Sequence, residues 1–133
     1  MIGVDTNVLV RFLVRDDAAQ AQTAAAFFRR AESRGEVLYV PQVVLCELVW
    51  VLATAYRYPK SEIADVLEQL LRTRQISFEE PQRVREAAAR YRAQGGDFAD
   101  QLILGACLDA GCDAVATFET RLRRQEGFVA PSA

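Results

Sequence analysis

Acidic side chains are the residues of this sequence whose types and spacing could do chemistry. The chain has 133 residues and no histidine, which excludes imidazole bases and His-ligated zinc sites. A metal held by oxygen ligands alone is a hard cation such as Mg²⁺ or Mn²⁺. The candidate ligands are Asp5, Glu47, Asp97, Asp100 and Glu119.

Four of these acids also have a purely structural explanation. Asp5 and Asp97 each precede a predicted helix, where aspartate is a favoured N-cap. Asp100 follows Asp97 by three residues and fits the third position of a capping box. Glu119 fits the first turn of a short predicted helix. Their positions alone therefore leave capping and chemistry open.

Glu47 is harder to explain by structure alone. It is the only charged residue between Pro41 and Tyr56, in a predicted helix that is apolar nearly all round. We expect this helix to be buried, and we expect Glu47 either to be buried with it or to lie at the rim of a cleft. A carboxylate there is protonated, paired with arginine, or bound to a metal.

A cluster of three or four such carboxylates has a defined chemistry. The carboxylates repel one another in a partly desolvated cleft, and a divalent cation offsets that repulsion. The cation polarises a phosphodiester, activates a water molecule and stabilises the leaving oxygen. Such a site needs no side-chain general base, which agrees with the absence of histidine.

Short apolar strands alternate with helices along the chain and must position these acids. The predicted strands are 1–4, 37–40, 75–78, 113–117 and 128–129, and the predicted helices are 6–14, 18–34, 41–56, 61–74, 81–94, 97–110 and 119–125. This alternation predicts an α/β three-layer sandwich, with a central, mostly parallel sheet of four to five strands flanked by helices. We expect one domain over residues 1–133, with functional groups at the carboxyl ends of the strands.

Hydropathy and cysteine content bound the location of the protein. The apolar stretch from Val43 to Ala55 contains Glu47 and is well short of the roughly 20 residues that a membrane span needs. The beginning of the sequence lacks the basic segment of a signal peptide. The three cysteines form no C-x-x-C motif and suit a reducing compartment. We expect a cytoplasmic protein that does not enter the membrane.

Four segments together resemble the PIN domain and, within it, the VapC-type toxins of bacterial toxin–antitoxin pairs. The segments are Val4-Asp5-Thr6-Asn7-Val8-Leu9, the helix with Glu47, Gly96-Asp97-Phe98-Ala99-Asp100-Gln101-Leu102-Ile103, and Ala116-Thr117-Phe118-Glu119. The resemblance implies a PIN-like fold and a Mg²⁺- or Mn²⁺-dependent endoribonuclease. It also implies a homodimer and a small VapB-like antitoxin partner.

The resemblance assigns roles by position. Asp5, Glu47 and Asp100 match the three catalytic acids that bind the metal, and Asp97 matches an accessory acid. Glu119 stands where the family more often has the shorter aspartate, so it is an accessory residue that can act through water. Polar positions that orient the acids or the metal's water are matched by Thr6, Asn7 and Thr117.

The basic residues bear on the substrate. The chain has 16 basic and 18 acidic residues, so a bulk nucleic-acid-binding charge is absent. Arg11, Arg15 and Arg121 follow the acidic positions Asp5 and Glu119 and are candidates to hold RNA phosphates; a solvated helix face is the alternative. In VapC-type enzymes the RNA is often a tRNA or a ribosomal RNA.

Two other functions remain as alternatives. A metal-dependent phosphatase of the haloacid-dehalogenase type places a second Asp two residues after the first, and this chain has Asn7 there. A non-catalytic PIN-like binding module with a degenerate metal site is compatible with the same residues, and Glu119 favours it.

Overall fold

Within residues 1–132 the strands pair in parallel and form two sheets. The structure is a computed structural model that describes residues 1–132. It divides into two compact units, Met1–Pro81 and Gln82–Ala133. The first unit carries a three-stranded sheet and the second a two-stranded sheet. Each unit is described by itself.

The first unit alternates strands with helices. Its elements are β1 (Ile2–Gly3), α1 (Thr6–Val14), α2 (Ala18–Arg34), β2 (Leu38–Val40), α3 (Gln42–Thr54), α4 (Lys60–Leu71) and β3 (Ile76–Phe78). The sheet order is β1-β2-β3, with Leu38 aligned between Ile2 and Ile76. Since the strands are parallel, β1 delivers Asp5 to the carboxyl edge of this sheet.

Local hydrogen bonds set the bounds of α1 and α2. The Asp5 carboxylate accepts a hydrogen bond from Val8 N at 3.2 Å, and Asp17 accepts one from Gln20 N at 3.0 Å. Gly35 ends α2 with φ of 63°, a left-handed conformation that glycine adopts without strain. The predicted bounds of both helices are confirmed. They could be predicted because the capping residues are visible in the sequence.

Helix α3 is not buried all round, contrary to the sequence prediction. Leu45, Leu48 and Leu52 are fully buried, and α3 packs against α1 and α4. Val43 and Trp50, in contrast, are 63% and 67% exposed. Apolar side chains thus occupy an exposed face as well as the buried one, and hydropathy alone does not distinguish the two.

The second unit contains two helices, a small sheet and a tight turn. Its elements are α5 (Pro81–Ala93), whose first residue is the last of the first unit, α6 (Phe98–Asp109), β4 (Val115–Ala116), a 3₁₀ turn (Leu122–Arg124) and β5 (Phe128–Val129). β4 and β5 pair in parallel. Leu104, Leu122 and Phe128 form a buried cluster that joins α6 to the turn and to β5.

The predicted α/β class, with parallel strands and flanking helices, is confirmed. The prediction of one sheet with four to five strands differs from the structure, which has a three-stranded sheet and a two-stranded sheet within residues 1–132. β1, β4 and β5 are each only two residues long. Apolar patterning predicts that such segments are strands, but pairing depends on long-range contacts that one segment does not encode.

Among residues 1–132, none of the helices has the length and apolar character needed to cross a bilayer.

Candidate functional site

A cavity of about 370 Å³ in the second unit is lined by all four charged residues of this unit that the sequence predicted for the site. It lies between the start of α6 and the 3₁₀ turn. Its lining is formed by Gln94, Gly95, Gly96, Asp97, Asp100, Glu119, Arg121, Leu122, Arg124 and Gln125. Carboxylates and guanidinium groups thus line the same space.

The start of α6 positions two of the acids. Asp97 is the N-cap, and its backbone N–H donates a hydrogen bond to Asp100 Oδ2 at 3.3 Å. The Asp100 backbone N–H in turn donates to Asp97 O at 3.1 Å. The capping role that their spacing predicted is therefore present, and the same spacing places both residues at the cavity.

The electrostatics of the cavity centre on Asp100. Burial raises the pKa of the Asp100 carboxyl above its ordinary value, and the negative charges of Asp97 and Glu119 raise it further. The Asp97 backbone N–H opposes this shift by bonding the ionised form. Burial and the neighbouring negative charges therefore disfavour the ionised form of Asp100. A divalent cation bound beside it would favour that form.

The third acid follows β4. The Glu119 backbone N–H donates to Thr117 Oγ1 at 3.0 Å, and Glu119 Oε1 accepts a hydrogen bond from Arg121 N at 3.4 Å. These local bonds replace the first turn of the helix predicted over 119–125, which is instead the 3₁₀ turn Leu122–Arg124. Thr117 therefore contacts one of the acids that it was expected to orient.

The donor set suits a hard cation but does not form a complete ligand cage. No three His, Cys, Asp or Glu side chains within residues 1–132 are grouped closely enough to hold a metal ion together. Mg²⁺ commonly keeps several water ligands and takes one or two carboxylates from the protein. The oxygen donors Asp97, Asp100 and Glu119, with the raised pKa of Asp100, are compatible with that mode of binding.

The other two predicted metal ligands lie in the first unit. Asp5 is exposed and caps α1, with Thr6 half-buried and Asn7 exposed in the first turn. Glu47 is exposed on α3, so the expectation that it is buried in an apolar helix is wrong, while its place at the rim of a cleft stays a prediction. Its charge still acts locally, because burial and then Glu47 raise the pKa of the Cys46 thiol.

The predicted RNA-binding arginines have different surroundings. Arg11 forms a salt bridge with Asp16 at 2.8 Å and donates to Gln20 Oε1. Arg15 ends α1 in a left-handed conformation, with its guanidinium carbon 5.9 Å from the Phe12 ring centroid. Arg121 is exposed and lines the acidic cavity. Arg11 is thus engaged within the fold, while Arg121 lies beside the carboxylates.

Two glutamines near the cavity were missed by the sequence reasoning. Gln101 is fully buried in α6, and its side-chain Nε2 donates to Gln125 Oε1 at 2.8 Å. A signal was available, because Gln101 is a polar residue within an apolar helical segment, as Glu47 is.

Comparison with known proteins identifies the family. The PIN domain model matches residues 2–127, which include residues of both units. A VapC ribonuclease from Aquifex aeolicus (strain VF5) is 31% identical over 121 residues, covering 91% of this chain and 89% of that protein. The match extends beyond the motifs to nearly the whole chain. The chain therefore belongs to the PIN domain family.

Proposed function

We propose that this protein is a VapC-type endoribonuclease that hydrolyses RNA phosphodiester bonds with a divalent metal ion. The observation that carries the proposal is the cavity of the second unit, where Asp100 carries a raised pKa between Asp97 and Glu119 and Arg121 lines the same space. Membership of the PIN domain family supports it, as does the likeness to a VapC ribonuclease.

The acids are assigned as follows. Asp100 binds the metal, with Asp97 and Glu119 as accessory acids that contribute negative charge and orient water. Asp5 and Glu47 are the remaining metal-binding acids by their match to the family motifs. A bound divalent ion, Mg²⁺ or Mn²⁺, would supply a Lewis acid and a water of lowered pKa. No protein side chain is needed to activate that water.

The arginines of the cavity have a complementary role. Arg121 and Arg124 line it together with the carboxylates. A guanidinium group can form two parallel hydrogen bonds to a phosphate, so these residues are suited to bind and orient the RNA backbone beside the acids. Their charge also attracts the polyanionic substrate to a cavity that would otherwise repel it.

The partners follow from the same assignment. The substrate is a cellular RNA, with tRNA and ribosomal RNA as the classes to test first. A small VapB-like antitoxin neutralises the enzyme, which acts in the cytoplasm as a homodimer. We expect residues 1–133 to act as one nuclease domain.

Calorimetric titration of Mn²⁺ tests the metal assignment. We expect one binding event for the wild-type protein, and weaker binding for Asp100→Asn and Glu47→Gln. Equal affinity in all three proteins would remove the metal site from the proposal. Growth arrest on expression of the protein alone, relieved by a co-expressed antitoxin, tests the toxin assignment separately.

A non-catalytic PIN-like binding module is the second candidate. It is favoured by Glu119, which stands where the family more often has the shorter aspartate. If the wild-type protein binds RNA but cleaves none of a broad panel with Mg²⁺ or Mn²⁺, this reading replaces the nuclease.

A further inference from the structure

Gln101 is a polar side chain in the buried core of the second unit. It is 0% exposed and directly follows Asp100 in α6. A buried amide without partners would be costly, because neither its carbonyl nor its NH₂ group reaches water. Its hydrogen bonds must therefore be supplied by the protein.

Those bonds form a continuous chain across the second unit. Arg90 Nε donates to Gln101 Oε1 at 3.0 Å, and Arg90 Nη2 donates to Gln101 O at 2.9 Å. Gln101 Nε2 donates to Gln125 Oε1 at 2.8 Å, and Gln125 Nε2 donates to Gly95 O. Because arginine is only a donor, it fixes the orientation of both amides. We call the four residues Arg90, Gln101, Gln125 and Gly95 the amide relay.

The amide relay connects the two walls of the acidic cavity. Gly95 belongs to the loop that leads into Asp97 and α6, and Gln125 directly follows the 3₁₀ turn. Both of these residues line the cavity. The walls also approach closely at Gly96, where φ is 99° and a Cβ atom would lie 3.2 Å from Leu122 Cδ2. The relay thus joins the segment bearing Asp100 to the segment that follows Glu119.

We propose that Gln101 and Gln125 are positioning residues that hold the Asp97–Asp100 wall against the Glu119–Arg124 wall for metal binding and catalysis. Neither glutamine is assigned contact with RNA or metal. The inference rests on the proposed function for its catalytic consequence. Its structural part, that the relay holds the two walls, can be measured without substrate.

Gln125→Met is the main test variant. Methionine is close to glutamine in length and neutral, so the change removes the hydrogen bonds to Gln101 and Gly95 without adding charge to the cavity. Gln125 is only half-buried, so the protein should still fold. Gln101→Met is the second variant. Gln82→Met is the matched control, because it removes an exposed glutamine hydrogen bond, from Gln82 Nε2 to Glu86 Oε1, in the same unit.

Three measurements separate positioning from a general loss of stability. Urea unfolding identifies a pH and temperature at which each variant is fully folded. Amide hydrogen exchange of the folded proteins should then be faster in Gln125→Met over residues 94–100 and 119–125, and unchanged in Gln82→Met. Mn²⁺ calorimetry should give about 10-fold weaker binding for Gln125→Met, as is usual for loss of an outer-shell partner.

The outcomes are distinct. Exchange and Mn²⁺ affinity within twofold of wild type in folded Gln125→Met would overturn the positioning proposal. In RNA cleavage, Gln125→Met should show a lower kcat than wild type with little change in KM. Failure of the wild-type protein to cleave RNA would overturn the proposed function, whereas the exchange result would still decide whether the relay holds the walls.

Discussion

The backbone N–H of Asp97 donates a hydrogen bond to the Asp100 carboxylate at 3.3 Å. The Asp100 side chain therefore caps α6 and also lines a cavity that contains two other acids, Asp97 and Glu119. Capping requires only an oxygen acceptor, while metal binding requires the negative charge. The two roles can be separated because asparagine keeps the first and loses the second.

Asp100→Asn should lower activity without lowering stability. The asparagine oxygen can still accept from Asp97 N, and the substitution removes a charge that Asp97 and Glu119 repel. We expect RNA cleavage to fall by more than the roughly 10- to 100-fold that loss of an outer-shell partner costs. Urea unfolding at pH 7 should give an equal or higher free energy of unfolding. Reduced stability with full activity would show that Asp100 is only a cap.

Metal affinity should depend on pH through the same residue. Burial and the charges of Asp97 and Glu119 raise the pKa of Asp100, so protons compete with the metal from a higher pH than at an ordinary aspartate, whose pKa is about 3.9. Mn²⁺ affinity should therefore fall as the pH is lowered towards this raised pKa. Calorimetry at several pH values measures the effect, and a flat profile for wild type would exclude Asp100 as a ligand.

Asp5 and Asp17 form a matched pair for testing the first unit. Each caps a helix through a side-chain bond, to Val8 N and Gln20 N respectively. Asparagine caps as well as aspartate, so both Asp→Asn changes should leave the unfolding free energy nearly unchanged. We expect cleavage to be lost in Asp5→Asn and retained in Asp17→Asn. Equal activity of the two variants would reduce Asp5 to a capping role.

Arg121 and Arg11 should respond differently to substitution. Arg121→Ala should weaken RNA binding. The slope of log K against log salt concentration should become smaller in magnitude by about 0.7 to 1, because one phosphate contact is lost. Arg11→Ala should mainly affect stability, because Arg11 is paired with Asp16 and Gln20. Filter binding across a salt series measures RNA affinity, with Arg85→Ala as an exposed control, and urea unfolding measures the stability of Arg11→Ala. An unchanged salt slope in Arg121→Ala would exclude the phosphate contact.

The Tyr56–Asp16 hydrogen bond should contribute to acid sensitivity. The Tyr56 hydroxyl donates to Asp16 Oδ2 at 2.8 Å and, together with Arg11, lowers the pKa of Asp16. A lowered pKa stabilises the fold above the unfolded-state pKa, and this contribution is lost as the pH falls through the folded-state value. Tyr56→Phe should therefore reduce stability at pH 7 more than at pH 3. Equal losses at both pH values would contradict this linkage.

Local signals in the sequence predicted the helices better than the sheet and the site. The caps Asp5, Asp17 and Gly35 set α1 and α2 because each acts within a few residues of itself. The exposure of Glu47 was not predictable from the apolar composition of α3, which does not show which face packs. The amide relay depends on Gln101 and Gln125, which lie 24 residues apart and meet only in the folded unit.

The central claim is that the protein cleaves RNA in a metal-dependent reaction that requires Asp100. The most direct measurement incubates wild type and Asp100→Asn with a panel of tRNA and ribosomal RNA, with Mg²⁺ or Mn²⁺ and with a chelator, and follows the products on a gel. We predict discrete products for wild type with metal, and none with chelator or with Asp100→Asn. Cleavage that persists in the chelator or in Asp100→Asn, or no cleavage by wild type under any condition, would contradict the account.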